Sequence, residues 1–306
     1  MLSFQKLLKA EQISQGDLTT LFKQADSYKE KLEDSQPITD MQSKIMASLF
    51  FEPSTRTRFS FESAMNRLGG SVISLEGRDS SSVAKGETLE DTGQVMDQYA
   101  DIIVMRHPQA HSVEKFSTNV SSPVINAGDG DNEHPTQSLV DLYTIHSEKG
   151  TLKNLKVGFI GDLKYGRTVH SLVKILAKYG CSFKFVSSDY LRIPNTLKEF
   201  IIQNGNSFEE HQRVESEVLD DLDVLYVTRV QKERFPSEQI YLENKDSCYL
   251  EREHISAISD FIILHPLPRV DEMDKSIDDL KCAKYFDQVK LSVPIRMALL
   301  YCLFNS

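Results

Sequence analysis

The chain has 306 residues, a length that suits about two domains, each large enough to bury its own core. Hydrophobic residues make up 40% and charged residues 26%, with only 14 Gly and 10 Pro, and this composition excludes disordered and collagen-like proteins. The formal net charge of −10 argues against a broad attraction to nucleic acid or to anionic membranes, so neither is expected as a partner.

The first half of the chain alternates helical patterns with short apolar runs. A helix is expected after Asp17, a good N-cap residue, because the apolar positions that follow recur with the period of one helical face. A second helix is expected after Pro53, ending at Gly69-Gly70, and a third over residues 87–100. Strands are predicted at residues 45–51, 72–75, 102–105 and 124–126.

A turn-rich segment and a helix separate this series from a second one. Residues 127–135 are dense in Gly, Asp and Asn, and Pro135 suits the first position of a helix that runs to Lys149. The domain junction is expected on that helix. Beyond it, strands are predicted at 157–160, 183–186, 224–227 and 261–264, helices at 168–178 and 196–203, and a terminal helix at 295–304, opened by Pro294. The order predicts two similar α/β domains, each a parallel sheet flanked by helices, with the active site in the cleft between them.

Ligands of open parallel sheets bind beyond the carboxyl ends of the strands, so the residues after each strand are the candidates for chemistry. The first such segment is Pro53–Arg58, between a strand and a helix. Ser54 can cap the helix, the free N–H groups of the first turn point outward, and Thr55 and Thr57 add hydroxyl donors. With Arg56 or Arg58 in reach, this segment predicts a phosphate-binding cradle. The alternative is an ordinary capped helix with solvated arginines.

Two further segments combine groups that could polarise a carbonyl. Arg106-His107-Pro108 follows one predicted strand, and His134-Pro135-Thr136-Gln137 follows the turn-rich segment. A cation, an imidazole and an amide together can stabilise a carbonyl oxygen as it gains charge. His134 alone could instead be a satisfied loop histidine. No metal site is predicted, because Pro108 breaks the helix that would align His107 with His111.

The second half places an arginine after each of two strands. Arg167 ends the segment Gly161–Arg167, and Arg229 follows the strand at 224–227. Arginines hold planar carboxylates by two parallel hydrogen bonds, so two of them suggest a dicarboxylate ligand. Surface arginines paired with neighbours such as Glu233 are the simpler alternative.

These motifs together resemble the aspartate carbamoyltransferase catalytic chains, and the resemblance runs over nearly the whole length. It is carried by FFEPSTRTR at 50–58, VAKGET at 83–88, MRHP at 105–108, NAGDG at 126–130, HPTQ at 134–137, GDLKYGRTVHS at 161–171, TRVQKER at 228–234 and HPLPR at 265–269. The resemblance implies transfer of a carbamoyl group from carbamoyl phosphate to L-aspartate, the committed step of pyrimidine synthesis, with no cofactor.

The resemblance also assigns roles to individual residues. It implies that carbamoyl phosphate is bound by Ser54, Thr55, Arg56, Thr57, Ser81, Arg106, His134, Gln137, Leu267 and Pro268, and aspartate by Lys85, Arg167, Arg229 and Gln231. The catalytic set implied is Arg56, Thr57, Lys85, Arg106 and His134. Gln137 would lie near the carbamoyl amino group, and Gln231 would orient Arg229. Ser81 and Lys85 would enter a neighbouring subunit's site, which implies a homotrimer with shared active sites.

The expected domains are a carbamoyl-phosphate-binding domain at 1–135, a connecting helix at 136–149, an aspartate-binding domain at 150–290, and a C-terminal helix at 291–306 that packs back on the first domain. A separate regulatory chain is a possible further partner. Four dispersed cysteines without a C-x-x-C pair, and no apolar stretch of signal or membrane-spanning length, predict a cytoplasmic protein.

Two other functions remain open at this point. Ornithine carbamoyltransferases share the Ser-Thr-Arg-Thr anion site, but Arg229 would repel the cationic side chain of ornithine. The HPLP turn at 265–268 stands where ornithine enzymes typically have His-Cys-Leu-Pro. A non-catalytic homologue that serves only in assembly is the other alternative, and the intact motifs argue against it.

Overall fold

Two parallel β-sheets organise the chain, one in each of two compact units. The computed structural model describes residues 1–77, 86–245, 248–255 and 260–306. The first unit comprises Met1–Tyr143 and Val289–Ser306, and the second comprises Thr144–Gln288. The chain therefore leaves the first unit within helix α5 (Pro135–Lys149) and returns within helix α10 (Tyr285–Phe304).

The first unit contains a four-stranded sheet in the order β2-β1-β3-β4. Its strands are β1 (Ile45–Phe50), β2 (Ser71–Glu76), β3 (Ile102–His107) and β4 (Val124–Asp129), and every pairing is parallel. Consecutive residues of β1, β3 and β4 are buried almost throughout, so both faces of the sheet are covered. The edge strand β2, in contrast, is largely exposed. The remaining helices of this unit are α1 (Gln15–Glu33), α2 (Thr55–Arg67), α3 (Leu89–Met96) and α4 (Ser112–Phe116).

The second unit contains a five-stranded parallel sheet in the order β7-β6-β5-β8-β9. Its strands are β5 (Lys156–Ile160), β6 (Ser182–Val186), β7 (Phe208–His211), β8 (Val224–Val227) and β9 (Ile262–Leu264). Its other helices are α6 (Arg167–Ala177), α7 (Asn195–Gln203), α8 (Ser216–Leu219) and α9 (Glu238–Lys245). The rings of Phe159, Phe183 and Phe185 are buried and lie within 6.3 Å of one another, and they form the aromatic centre of this core.

The predicted fold class is confirmed in each unit, since each is a parallel sheet flanked by helices. Two local expectations were wrong, and one strand was not predicted. Helix α1 begins at Gln15 with Ser14 as its N-cap, so Asp17 lies in the first turn and is not the cap. Pro294 does not open the last helix. It lies inside α10, which begins nine residues earlier, at Tyr285. Strand β7 was not predicted, because Glu209 and Glu210 interrupt any apolar run there.

Burial explains how α10 tolerates an internal proline. Proline in a helix interior removes one backbone hydrogen bond and costs about 3 kcal/mol. The residues that follow it include Ile295, Met297, Leu299 and Leu303, all at most 2% exposed. Each such side chain contributes roughly 1.5–3 kcal/mol on burial, which exceeds the cost of the proline. Within the described residues, no helix combines the length and the apolar character that crossing a bilayer requires.

Asp17 ties the N-terminal segment to helix α1. Its carboxylate accepts hydrogen bonds from the backbone N–H and the hydroxyl of Ser3 (2.7 and 2.6 Å) and from the same two groups of Ser14 (2.9 and 2.6 Å). The Ser14 hydroxyl in turn accepts from the Asp17 N–H, which completes a capping box. Burial raises the pKa of the carboxyl group, but these hydrogen bonds outweigh it and hold the pKa of Asp17 below its ordinary value.

The Asp17→Asn variant is expected to lower the free energy of unfolding by about 1–3 kcal/mol at pH 7, because an amide cannot accept all four hydrogen bonds. A carboxyl group whose pKa is lowered in the folded state stabilises the protein above its unfolded pKa, near 4, and this contribution disappears as the pH falls further. The difference between the two proteins should therefore shrink below about pH 4. Urea denaturation over a pH series measures it. Asp34→Asn, at the exposed C-cap of the same helix, is the control and should change stability by less than about 0.5 kcal/mol.

Candidate active site

The carboxyl ends of three adjacent strands gather the candidate residues of the first unit. Strand β3 lies between β1 and β4 in the sheet. Residues 54–57 follow β1, Arg106 is the penultimate residue of β3, and His134 follows β4 after a four-residue connection that begins at Gly130. Because parallel strands end at one edge, the topology places these three segments side by side.

The segment after β1 forms the start of helix α2. Ser54 occupies the N-cap position, but its hydroxyl makes no capping hydrogen bond. Thr55 is the first helical residue and is exposed, whereas Thr57 is buried. The unsatisfied N–H groups of a helix's first turn and these hydroxyl groups are the donors that a phosphate needs.

Only one of the two candidate arginines in this segment is available for a ligand. Arg58 donates through Nε to Glu62 (2.9 Å) and through Nη1 to Glu76, so the carboxylates of its own unit already neutralise it. Arg56 is exposed over much of its side chain. Burial of the remaining part and the charge of Arg106 both lower the pKa of its guanidinium group. Two guanidinium groups therefore lie close enough to repel each other, and an anion bound there would relieve that repulsion.

Arg106 is held in place by a carboxylate that the sequence did not single out. Its Nε donates to Oε2 of Glu52 at 2.9 Å, and its side chain is 13% exposed. Glu52 directly precedes Pro53, the first residue of the predicted phosphate-binding cradle. One edge of the guanidinium is therefore fixed by Glu52.

The turn-rich segment before His134 is organised by a buried aspartate. Asp129 is fully buried and accepts hydrogen bonds from the backbone N–H groups of His111 (2.8 Å) and Glu133 (3.1 Å). The amides of Asn126 and Asn132 also donate to it, at 2.9 and 3.0 Å. This network fixes the loop that leads to His134, which is 5% exposed.

Gly130 lets this loop approach the end of β3. Its φ is +56°, and its N–H donates to the His107 carbonyl at 2.9 Å. A Cβ atom at this position would lie 2.9 Å from the Pro108 carbonyl oxygen and 2.8 Å from the Ala110 nitrogen. The close approach thus requires glycine.

The two histidines with metal-like spacing are engaged elsewhere. His107 Nδ1 accepts from the Gln109 N–H at 3.1 Å, and the ring of His111 pairs with Glu114 at 3.1 Å. Among the residues that the structure describes, no group of three or more His, Cys, Asp or Glu side chains is arranged to hold a metal ion.

In the second unit, β5, β8 and β9 are neighbours, and their carboxyl ends carry the other candidates. Arg167 is the first residue of helix α6, Arg229 lies two residues beyond β8, and Leu267 lies three residues beyond β9. All three are partly exposed. Gly161 directly follows β5 and has a φ of +117°. A Cβ atom at this position would lie 2.1 Å from the Thr228 carbonyl oxygen, so the close approach of the segments after β5 and β8 requires glycine.

Asp162 connects the loops after β5 and β8. It is fully buried and accepts from the Tyr165 N–H (2.9 Å) and from the side-chain amide of Gln231 (3.2 Å). Burial raises the pKa of Asp162 in spite of these hydrogen bonds. The expectation for Gln231 was a role in orienting Arg229. The structure shows the Gln231 amide donating to Asp162, and the role in orienting Arg229 stays a prediction.

A buried histidine and glutamate shape the turn after β9. His265 Nε2 lies 2.6 Å from Oε1 of Glu272, and its Nδ1 accepts from the Leu267 N–H at 2.8 Å. Glu272 also accepts from the backbone N–H groups of Val270 and Asp271. Burial raises the pKa of Glu272, but these donors outweigh burial, and the net pKa is lowered. Leu267, with a φ of +57°, is thus held in a defined turn.

The structure thus brings together two sets of candidates, one in each unit. Ser54, Thr55, Arg56, Thr57, Arg106, His134 and Gln137 belong to the first set, and Arg167, Arg229, Gln231, Leu267 and Pro268 to the second. Ser81 and Lys85 lie outside the described residues. Sequence reasoning missed the carboxylates that support each set, namely Glu52, Asp129, Asp162 and Glu272. Their only signal is that each stands in or beside a motif.

The chain matches two family models along almost all of its length. Residues 5–147 match the aspartate/ornithine carbamoyltransferase carbamoyl-P binding domain, and residues 153–303 match the Asp/Orn binding domain of the same family. Among curated proteins, the aspartate carbamoyltransferase catalytic subunit of Methanopyrus kandleri is 53% identical over 259 residues, which are 84% of each chain. That of Methanocaldococcus jannaschii is 48% identical over 96% of each chain.

Solved structures give the same result. The catalytic subunit of M. jannaschii aspartate transcarbamoylase aligns with a TM-score of 0.93 at 46% identity, covering 99% of this chain and 98% of that one. Aspartate transcarbamoylase from Trypanosoma cruzi, solved with N-(phosphonacetyl)-L-aspartic acid, aligns with a TM-score of 0.92 at 38% identity, covering 98% and 96%. The resemblance that the motifs predicted is therefore confirmed, and the chain belongs to the aspartate/ornithine carbamoyltransferase family.

Proposed function

We propose that the chain transfers the carbamoyl group of carbamoyl phosphate to the amine of L-aspartate, giving N-carbamoyl-L-aspartate and phosphate in pyrimidine synthesis. The observation that carries the proposal is the placement of Arg56 and Arg106 at neighbouring strand ends: the Phe51 N–H donates to the Arg106 carbonyl at 2.9 Å, and Arg56 lies in the first turn of the helix that follows. Such a pair is stabilised by an anionic ligand with several oxygen atoms, and a phosphate is one. The names of the relatives support the same reaction.

In this proposal the first unit binds carbamoyl phosphate. The helix start at residues 54–57 and Arg56 hold the phosphate, while Arg106 and His134 donate to the carbamoyl oxygen. Glu52 fixes Arg106 and the Asp129 network fixes the loop before His134, so these donors are oriented before the substrate arrives. Donors held in place cost little reorganisation when the oxyanion forms.

The second unit binds the acceptor, with Arg167 and Arg229 on its two carboxylates. A guanidinium group binds a carboxylate and repels an ammonium group, and this selects aspartate over ornithine. The backbone carbonyls of Leu267 and Pro268 accept from the incoming amine or the carbamoyl amide. The buried Glu272–His265 pair fixes that turn.

The reaction needs positioning and charge neutralisation but no cofactor, since carbamoyl phosphate is already an activated acyl donor. The unprotonated amine nitrogen forms a bond to the carbamoyl carbon, and the tetrahedral oxyanion is stabilised by Arg106 and His134. The bond from that carbon to the phosphate oxygen then breaks. The proton released by the amine passes to the departing phosphate.

A product assay tests the proposed function. The purified chain is incubated with carbamoyl phosphate and either L-aspartate or L-ornithine, and the carbamoylated products are measured. We expect N-carbamoyl-L-aspartate and no citrulline. Citrulline formation, or no product from either acceptor, would contradict the proposal.

Arg106→Ala and His134→Ala are each expected to lower kcat by about 100-fold or more while the fold persists, because each removes a donor to the developing oxyanion. Steady-state kinetics and circular dichroism measure the two effects. Arg67→Ala, which removes an exposed arginine from the last turn of α2, is the control and should keep full activity. Near-normal turnover in either site variant would refute the assigned roles.

Arg167→Ala and Arg229→Ala are each expected to raise the KM for aspartate at least about tenfold, since each removes a charge-assisted contact with a carboxylate. The affinity for carbamoyl phosphate, measured by calorimetry in the absence of aspartate, should remain close to that of the unchanged protein. Arg213→Ala removes an exposed arginine of the same unit and serves as the control. An unchanged KM for aspartate in both site variants would rule out the dicarboxylate clamp.

The assembly that we propose is a cytoplasmic homotrimer in which Ser81 and Lys85 of one subunit complete the site of the next. Strand β2 is an exposed edge of the first sheet, with Ile73 40% exposed, and an edge strand of a parallel sheet is usually covered. Ser81 and Lys85 follow this strand in the sequence. A separate regulatory chain is a further proposed partner, supported by the relatives' designation as catalytic subunits.

Sedimentation equilibrium should give a mass of three times 34.8 kDa. Ile73→Lys is expected to shift the protein toward monomers and to lower activity, because a lysine buried in an interface loses its hydration. Ile202→Lys, on α7 of the second unit where the isoleucine is 62% exposed, is the matched control and should leave the mass unchanged. A monomeric, fully active protein would disprove the shared site.

A further inference from the structure

Gln137 and Asp141 lie one turn apart on helix α5 and are joined by a short hydrogen bond. The side-chain nitrogen Nε2 of Gln137 donates to Oδ1 of Asp141 at 2.7 Å. Asp141 is fully buried, whereas Gln137 is partly exposed. The pair lies within the first unit, on the same helix that begins directly after His134.

This hydrogen bond determines which way the Gln137 amide faces. An ionised carboxylate can only accept hydrogen bonds, so the NH2 group of Gln137 must face Asp141. The carbonyl oxygen Oε1 then faces away from Asp141 and is the group that the amide presents on its other edge. With a neutral partner in place of Asp141, either orientation of the amide would be satisfied.

The buried side chain of Arg296 attracts the Asp141 carboxylate. Arg296 is 4% exposed, its guanidinium group lies 4.9 Å from the centre of the Phe61 ring, and burial lowers its pKa to about 9. The charge of Asp141 opposes this effect and raises the pKa of Arg296, so the two groups attract each other. Among the described residues, Nε of Arg296 has no hydrogen-bond partner, and the attraction of Asp141 and the contact with the Phe61 ring both offset part of the cost of burying the cation.

We propose that Asp141 is a positioning residue that makes the site select a donor bearing an amino group, because it holds the Gln137 amide with its oxygen toward the ligand. The inference rests on the proposed function, in which Gln137 lies near the amino group of carbamoyl phosphate. That amino group donates to Oε1. Acetyl phosphate has the same shape and charge but carries a methyl group there, which leaves Oε1 without a partner, and a site built around a hydrogen bond discriminates strongly against an analogue that cannot make it.

The test compares the two ligands in the Asp141→Asn variant. The KM of carbamoyl phosphate and the Ki of acetyl phosphate as a competitive inhibitor are measured, and their ratio reports the selectivity for the amino group. We expect the KM of carbamoyl phosphate to rise about tenfold relative to the Ki of acetyl phosphate. The reason is that the Gln137 amide can now rotate and present its NH2 group to the ligand. The Ki of acetyl phosphate itself should stay within about twofold, because it makes no hydrogen bond to Gln137.

Asp17→Asn is the control for a purely structural effect. It removes another buried, multiply hydrogen-bonded carboxylate of the same unit and should leave the selectivity unchanged. If Asp141→Asn does not fold, Asp141→Ser takes its place, because serine is smaller and can also donate or accept. An unchanged selectivity, or an equal change in the Asp17 control, would overturn the inference. Failure of the unchanged protein to carbamoylate aspartate would instead refute the proposed function.

Discussion

The candidate site depends on two guanidinium groups at the carboxyl end of the first sheet, those of Arg56 and Arg106, and among the described residues Glu52 is the carboxylate that pairs with Arg106. Arg56 shows the cost most directly, because partial burial and the charge of Arg106 lower its pKa. Arg58, two residues further along helix α2, has no such cost since Glu62 and Glu76 neutralise it. The difference between the two arginines explains why one can recognise an anion while the other stabilises helix α2. The anion that binds supplies the charge that the protein omits.

Buried carboxylates fix the conformation of the loops that carry the candidate site residues. Asp129 and Asp162 each tie together two loops that leave neighbouring strands, and Glu272 does the same for the turn after β9. Burial raises the pKa of both Asp162 and Glu272, but at Glu272 the hydrogen bonds outweigh burial and the net pKa is lowered. At Glu272 the electrostatic attraction of His265 adds to the hydrogen bonds, whereas the groups that lower the pKa of Asp162 are hydrogen-bond donors alone. These groups position the loops that carry the candidate site residues.

The sequence predicted the elements whose signals are local and left out those that depend on tertiary contacts. Apolar runs located β1, β3, β4, β5 and β8 to within about three residues, and the rule that ligands bind at strand ends located the candidate arginines. The edge strand β7 was not predicted because Glu209 and Glu210 interrupt its apolar pattern, and Pro294 was misleading because burial of α10 outweighs its helix-breaking tendency. The partner of Gln231 could not be predicted from the sequence, and the residue chemistry alone left Arg56 and Arg58 open, although the family resemblance implied Arg56. Both depend on which carboxylate folding brings close.

Calorimetric titration with N-(phosphonacetyl)-L-aspartic acid, the compound bound in the T. cruzi structure, tests the charge complementarity most directly. Its counterpart with ornithine in place of aspartate keeps the phosphonate but exchanges one carboxylate for a cation. The account predicts that the aspartate compound binds one molecule per chain at least about 100-fold more tightly than the ornithine compound, and that added salt weakens this binding. Equal affinities for the two compounds, or binding that does not respond to salt, would contradict it.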